Sequence, residues 1–279
     1  MLMPAIALVG YFVYVSIIWN LVVSVSDWKG LRPSYNFSGF GEYLDLMDDT
    51  KFRTSLTNNI MLILLFVPMS LVLGLFMAIL LDQHLKYEGF FRTIFLLPFT
   101  LSFVVTAYLW RWMYNPKQGV INMLLRNSGL GFLAQDWVTN PDLVMYSIVF
   151  ALLWQFSGYV MLIFLAGIRS IPETQINAAK LDGASGFYLY RRVIIPQIKS
   201  SSFTAFVILM VFALKAFDFI FILTGGGPGY SSEILSLTMY EEAFAITNFT
   251  TGSAIATIMF FLVMLIVLPY LHITYRRKN

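Results

Sequence analysis

The sequence predicts an all-α integral membrane protein that crosses the bilayer six times. Of its 279 residues, 58% are hydrophobic and only 12% are charged. The mean hydropathy is +0.75, a value typical of membrane proteins rather than soluble domains. The apolar residues come in runs of about 20, the length at which a helix crosses a hydrocarbon core of about 30 Å while satisfying its own backbone hydrogen bonds. The alternating pattern of short barrel strands is not seen.

Six apolar runs predict the spans in chain order. Their expected bounds are Met3–Ser26, Leu56–Leu81, Phe91–Met113, Leu143–Ile168, Ser202–Leu223 and Thr251–Tyr275. The first run could be mistaken for a signal peptide, but it is too long for one and has no small-residue cleavage site followed by a soluble domain. We therefore expect a true span there, and one transmembrane domain over residues 1–279.

The basic residues predict the orientation, because cytoplasmic loops of membrane proteins carry an excess of Lys and Arg. With the amino terminus inside, the inner segments hold ten basic residues, and the longer outer loops hold seven. The ten are Lys86, Arg92, Arg169, Lys180, Arg191, Arg192, Lys199, Arg276, Arg277 and Lys278. Both termini are therefore predicted to be cytoplasmic. The net charge of +3 follows from this topology and requires no nucleic-acid partner.

The segment of residues 169–199 is charged and punctuated by glycine, although it joins two apolar spans. Its first part favours a helix that ends before Gly183, a position where glycine is common. A second short helix is predicted from near Ser185 to Pro196. Between them, small side chains leave a surface that another protein can approach closely. These small residues are Ala178, Ala179, Gly183 and Ala184.

The spacing within this segment is Asn177-Ala178-Ala179, three residues, Gly183, nine residues, then Val193-Ile194-Ile195-Pro196. It resembles the EAA loop of binding-protein-dependent ABC importer permeases, whose pattern is Glu-Ala-Ala, Gly and Ile-x-Leu-Pro at the same spacing. The stretches WQFSGYVMLIFLAGIRSIPE, Asp-Gly-Ala at 182–184 and TGGGPGYSSEILSLTMYEEAF resemble the carbohydrate branch of that family. The likeness covers nearly the whole chain. It departs at Asn177, because an amide cannot form the charge-assisted pair that the usual Glu makes with an arginine.

The resemblance implies a type I importer permease with a MetI-like core and a cytoplasmic coupling loop. In that family two permease subunits form the pore, a pair of cytoplasmic ATPases drives it, and an extracellular or periplasmic solute-binding protein delivers the solute. The chain is expected to be the first of the two permease types, to lie in the inner (cytoplasmic) membrane, to move a sugar, and to need no cofactor or metal. The implied coupling residues are Asn177, Ala178, Ala179, Asp182, Gly183, Ala184 and Pro196.

Two ionisable residues, Lys215 and Asp218, stand three apart inside the fifth apolar run. A charge within a bilayer is costly unless it pairs or faces water, so the two indicate either a mutual ion pair on one helix face or a transport pathway. The resemblance to maltose-type permeases implies that residues of spans four and five contact the sugar. For Gln155 and Tyr159, a role in helix packing is equally consistent with the sequence. The predicted pathway is Gln155, Phe156, Tyr159, Phe212, Ala213, Lys215, Ala216 and Asp218.

Other functions fit the sequence less well. A permease for a polyol or a glycerol phosphate remains open, because specificity depends on unseen partner proteins. A stand-alone secondary transporter would need coupling acids in broken helices and often two repeated halves, whereas Asp218 is the one candidate acid and no internal repeat is found. An enzyme is disfavoured, because the chain has no G-x-x-x-x-G-K-[ST], H-E-x-x-H or G-x-S-x-G motif. Its histidines, His84 and His272, stand near span ends.

Overall fold

The computed structural model describes residues 3–83 and 86–276, and within those ranges its regular secondary structure is all helical, with two isolated bridges and no strand. His84, Arg277 and Lys278 lie outside the described residues. The α-helices are α1 Met3–Ser24, α2 Gly41–Asp48, α3 Thr50–Asp82, α4 Glu88–Thr100, α5 Phe103–Met113, α6 Val120–Asn127, α7 Val144–Arg169, α8 Glu173–Leu181, α9 Gly186–Leu189, α10 Ile195–Gln197, α11 Lys199–Leu214, α12 Phe217–Leu223, α13 Leu235–Tyr240 and α14 Phe249–Arg276. Short π-helical turns follow α9 and α13.

Four helices are long and apolar enough to cross a bilayer, and they are α1, α3, α7 and α14. They correspond to the predicted first, second, fourth and sixth spans. The largest difference is at the start of the second, which begins at Thr50 rather than Leu56. Asp49 explains this earlier start, because its side chain caps the helix by accepting a hydrogen bond of 2.6 Å from the Phe52 amide.

The third predicted span is broken, so the continuous helix expected over 91–113 is wrong. α4 and α5 meet at an angle of 94°. Pro98 lies in the last turn of α4, where it cannot donate a backbone hydrogen bond. Ser102 then caps a new helix by accepting a hydrogen bond from the Val105 amide at 3.3 Å.

The fifth predicted span is also not one continuous helix. α11 follows the short helices of residues 186–197 at an angle of 70°. It ends at Leu214, and α12 begins only at Phe217. The chain makes six crossings if each bent pair counts as one span. The continuous helix expected over 202–223 is therefore wrong at Lys215 and Ala216.

α7 forms the centre of the core and packs against α3, α4 and α11. In its most apolar stretch 67% of the residues are buried, against 6% for α1. Close approach of α4 depends on Gly158, because a Cβ there would overlap the backbone of Phe95. α1 lies at the edge of the bundle against α14, where the Asn20 amide donates to Thr257 Oγ1 at 3.0 Å.

Candidate functional site

The predicted coupling loop folds into helical segments that turn at Gly183. α8 ends at Leu181, and Gly183 has a φ of +88°, in the left-handed region that favours glycine. The Ala184 amide donates to the Ala179 carbonyl at 2.9 Å, and the Gly183 amide donates to the Lys180 carbonyl at 3.0 Å. These two bonds form a Schellman motif, so the glycine satisfies the last carbonyls of α8.

Most of the predicted coupling residues are exposed. Asn177, Ala178, Asp182, Gly183 and Pro196 are exposed, Ala179 is half-buried, and Ala184 is buried. Apart from its two chain neighbours, no described residue has an atom within 4 Å of a Cβ built on Gly183, so this surface is open to a partner.

Three large apolar side chains on this surface were not among the predicted coupling residues. Leu181, Phe187 and Tyr188 are 89%, 77% and 60% exposed. Exposed apolar residues of this size mark an interaction site. The signal was present in the sequence, because apolar residues stand out within a charged loop.

The loop is attached to the neighbouring ends of several spans. Ile194 and Ile198 are each 2% exposed and belong to the main core. The Tyr190 hydroxyl donates to Asp82 Oδ2 at 2.8 Å, which joins the loop to the end of α3. Arg169, at the end of α7, pairs with Glu88 at the start of α4 at 2.8 Å. The loop is therefore in direct contact with these helix ends.

The aromatic residues of the predicted pathway lie in one cluster. The rings of Phe156 and Phe212 are 4.3 Å apart, and that of Phe103 is 5.0 Å from Phe212. Tyr159 stacks on Phe99 at 4.3 Å. Phe156 is only 3% exposed, so these rings contact one another in this conformation rather than an open channel.

Gln155 lies at the break in the third span. Its Nε2 donates to the Leu101 carbonyl at 3.2 Å, so it satisfies a backbone group at the 94° bend. Its Oε1 is buried and has no hydrogen-bond partner within the described residues. Ala213 is buried too, and its carbonyl accepts a hydrogen bond from Asn59 at 3.1 Å.

Lys215 and Asp218 do not form the ion pair that their spacing permitted. Lys215 directly follows α11 and Asp218 lies in the first turn of α12, so no continuous helix places them on one face. Both are exposed, and the ion pairs of the described residues include neither. The structural interpretation of the pair as a salt bridge is therefore wrong.

A cavity of about 300 Å³ brings half of the predicted pathway together. Its wall contains Phe212, Lys215, Ala216 and Asp218. The remaining lining residues are Phe103, Ile208, Val211 and Phe219. Gln155, Phe156, Tyr159 and Ala213 do not line it.

The Gly-rich stretch before Glu233 forms a second polar cluster, which the sequence analysis did not find. Gly226 has a φ of +84°, and a Cβ there would overlap the Glu233 carboxylate. Lys51 Nζ lies 3.8 Å from Glu233 Oε1 and also pairs with Glu241. Thr238 donates to Glu233 Oε1 at 3.0 Å. We call these residues the outer cluster.

Two asparagines of α3 hold the same segment through its backbone. Asn58 Nδ2 donates to the carbonyls of Tyr230 and Glu233 at 2.8 and 2.9 Å. Asn59 Oδ1 accepts from the Leu235 amide at 2.8 Å. Lys51, Asn58 and Asn59 are spaced by seven and eight residues, which places them on one helix face. This spacing of polar residues is the sequence feature that could have predicted the contact.

Residues 70–277 match the family described as the binding-protein-dependent transport system inner membrane component. The chain belongs to this family. A probable ABC transporter permease of Pyrococcus horikoshii is 56% identical over 278 residues, covering 100% of this chain and 95% of its relative. A xylose/arabinose import permease of Haloferax volcanii is 41% identical over 261 residues, covering 93% and 82%.

The fold is similar to that in a crystal structure of a bacterial alginate ABC transporter in complex with its alginate pentasaccharide-bound periplasmic protein. The TM-score is 0.86, over 100% of this chain and 94% of that chain, at 22% sequence identity. The predicted family and the all-helical permease fold are thus confirmed. The protein is a multi-pass inner-membrane subunit of an ABC importer, and its role is transport rather than catalysis.

The outer cluster makes stability depend on pH. Burial and the nearby charge of Glu241 raise the pKa of Glu233 from 4.5 to about 7, and Lys51 and Thr238 oppose the shift. The folded state therefore binds this proton more tightly than the unfolded state. The resulting stabilisation is full below pH 4.5 and is lost as the pH rises through about 7.

Glu233→Gln mimics the protonated acid. We expect its melting temperature to be close to that of the native protein at pH 5 and to exceed it by a growing margin as the pH rises to about 8. Thermal unfolding of both proteins in detergent across this range measures the difference. In a Lys51→Met background the difference in melting temperature between Gln and Glu at position 233 should be larger, because Lys51 favours the charged carboxylate. A variant that instead falls below the native protein as the pH rises contradicts the raised pKa.

Proposed function

We propose that the chain is the first-type permease subunit of an ABC importer that moves a mono- or oligosaccharide across the cytoplasmic membrane. The coupling loop carries the proposal: it has the importer spacing, a glycine-closed helix end and exposed apolar side chains. The 41% identity to a xylose/arabinose import permease supports a sugar as the solute. A solute screen on the binding protein encoded with this chain tests that choice.

The partners follow from this role. A second permease subunit completes the pore, and an extracellular or periplasmic binding protein delivers the sugar. A pair of cytoplasmic ATPases supplies the energy, so this chain contributes no nucleotide site of its own. The ATPase covers the surface around Ala178 and Gly183, and Asn177 meets it through a neutral amide rather than the usual carboxylate.

The pair of contacts beneath the loop gives a route for coupling. Closure of the ATPases displaces α8 and the helices that follow it. The Tyr190–Asp82 hydrogen bond carries this displacement to α3, and the Arg169–Glu88 pair carries it to the bent third span. Gln155 lies at that bend and links the displacement to the proposed sugar pathway.

The cavity at the fifth span is the proposed sugar contact. Phe212 offers an aromatic face to a sugar ring, and Lys215 and Asp218 bond to its hydroxyls across the wall formed by Ala216. When the aromatic cluster opens, Phe156 and Tyr159 extend this surface, as does the unpartnered Gln155 oxygen. Ala213 keeps the backbone in place through its bond to Asn59.

A glycerol-phosphate-type solute is the second candidate. The observation in its favour is that Lys215 has no ion-pair partner within the described residues, so a phosphate could bind there. Competition for uptake between the sugar and glycerol phosphate separates the two solutes.

Both termini are proposed to be cytoplasmic, as the basic residues indicate. The chain has no cysteine, so a single introduced cysteine reports its own side. In intact cells an impermeant thiol reagent should label cysteines at positions 117 and 231 but not at 180. After permeabilisation, position 180 should react as well. Labelling of position 180 from outside contradicts the orientation.

Gly183→Val should abolish coupling, because a β-branched residue is strained at a φ of +88°. Gly183→Asn is the matched control, since Asn tolerates the left-handed region and a Cβ there meets no neighbour in the chain. In proteoliposomes with all subunits, we expect Val to lose most sugar uptake and solute-stimulated ATPase activity and Asn to keep most of both. Equal activity of the two variants means that the helix end is not part of the coupling.

Lys215→Met and Asp218→Asn should each lower uptake, and the double variant should not recover it, because the two side chains bind solute rather than each other. Assembly with the ATPases and basal ATP hydrolysis should persist in all three variants. Phe212→Leu tests the aromatic face and should raise the KM for sugar more than it lowers the maximal rate. Recovery of uptake in the double variant contradicts the pathway.

A further inference from the structure

A second cavity, of about 520 Å³, lies between the fifth span, α13 and α14. Its size is in the range of cavities that bind small organic ligands. Its lining is mostly apolar. The lining residues are Val211, Lys215, Phe217, Ser236, Met239, Tyr240, Ala256, Met259, Phe260 and Val263.

Two polar groups in this cavity have no partner. Ser236 is 4% exposed, and its Oγ is buried without a hydrogen bond within the described residues. Leaving a buried hydroxyl unsatisfied is costly, so it indicates a missing ligand or water. The Lys215 side chain makes neither a hydrogen bond nor an ion pair with any described residue. An apolar cavity with one cation and one free hydroxyl fits an amphipathic anion.

The depth of the cavity in the membrane can be read from α3. The apolar part of this helix, Ile60–Leu81, is about 33 Å long at 1.5 Å per residue, which matches a hydrocarbon core of about 30 Å. Asn59, just before it, donates to the Ala213 carbonyl at 3.1 Å, so the break at Lys215 lies at the same level. Lys215 is therefore near the edge of the hydrocarbon core, where lipid phosphates are found.

We propose that this cavity binds an anionic phospholipid of the outer leaflet. Its phosphate pairs with Lys215, and an ester oxygen accepts a hydrogen bond from Ser236. An acyl chain lies along Met259, Phe260 and Val263 of α14. This site goes beyond the transport function. It shares Val211 and Lys215 with the cavity of the proposed sugar contact, whereas Asp218 lines only that other cavity.

A lipid fits this lining better than a sugar does. A sugar needs a hydrogen-bond partner for most of its hydroxyls, whereas Lys215, Ser236 and Tyr240 are the polar lining residues here. The acyl chain finds apolar side chains of α14, a membrane-crossing helix that the bilayer already surrounds. The positive charge of Lys215 attracts the negative charge of an anionic head group.

The test uses the assembled transporter in nanodiscs of phosphatidylcholine with or without phosphatidylglycerol. Native mass spectrometry counts the lipids that remain bound. We expect the native protein to retain phosphatidylglycerol in preference to phosphatidylcholine. Lys215→Met should lower that preference about fivefold, the effect of losing one lysine near the surface. Lys117→Met and Asp218→Asn are the controls and should retain the lipid.

Filling the cavity tests the acyl chain separately. Ala256→Phe should displace both lipids, and Val263→Phe gives a second variant in case the first does not assemble. Uptake is not the measurement, so failure of the sugar proposal leaves this result unaffected. Unchanged retention in Lys215→Met or in an assembled cavity-filling variant overturns the proposal. The proposal is also overturned if the assembled transporter retains no phosphatidylglycerol. That is the result expected when a second permease subunit covers the cavity.

Discussion

Every backbone amide and carbonyl inside a bilayer must find a hydrogen bond within the protein, and this constraint determines where the chain can depart from a helix. The two breaks in the spans follow it. At the bend of the third span Gln155 donates to the Leu101 carbonyl, and beside the break of the fifth span Asn59 donates to the Ala213 carbonyl. Because α7 and α3 supply these amides, the central helix pair stabilises the bent spans. Both cavities then open beside the second break.

Prediction from sequence succeeded where the signal is local. Apolar runs gave α1, α3, α7 and α14, and the motif spacing gave the helix end at Gly183. Hydropathy is averaged over windows of about 20 residues. The effect of a single residue such as Pro98 is lost in that average, so the breaks in the spans were not predicted. The ion pair of Lys215 and Asp218, one of the two alternatives that their spacing left open, is not formed because a shared face requires a continuous helix.

The outer cluster could not be predicted because its partners are distant in sequence. Lys51 and Glu233 meet only after α3 has packed beside the segment that leads into α13. Together with the Tyr190–Asp82 bond, this cluster attaches α3 at both of its ends. A single helix, α3, which runs from Thr50 to Asp82, therefore joins the predicted coupling loop to the outer cluster.

The contact between α1 and α14 joins two spans that are far apart in the sequence. Asn20 has its hydrogen-bond partners at Ser253 and Thr257, more than 230 positions later. Until the ribosome has produced α14, α1 must remain in the lipid without its packing partner, as an apolar helix can. This contact therefore forms late in biosynthesis, because the segment between the two helices must first be translated and inserted into the membrane.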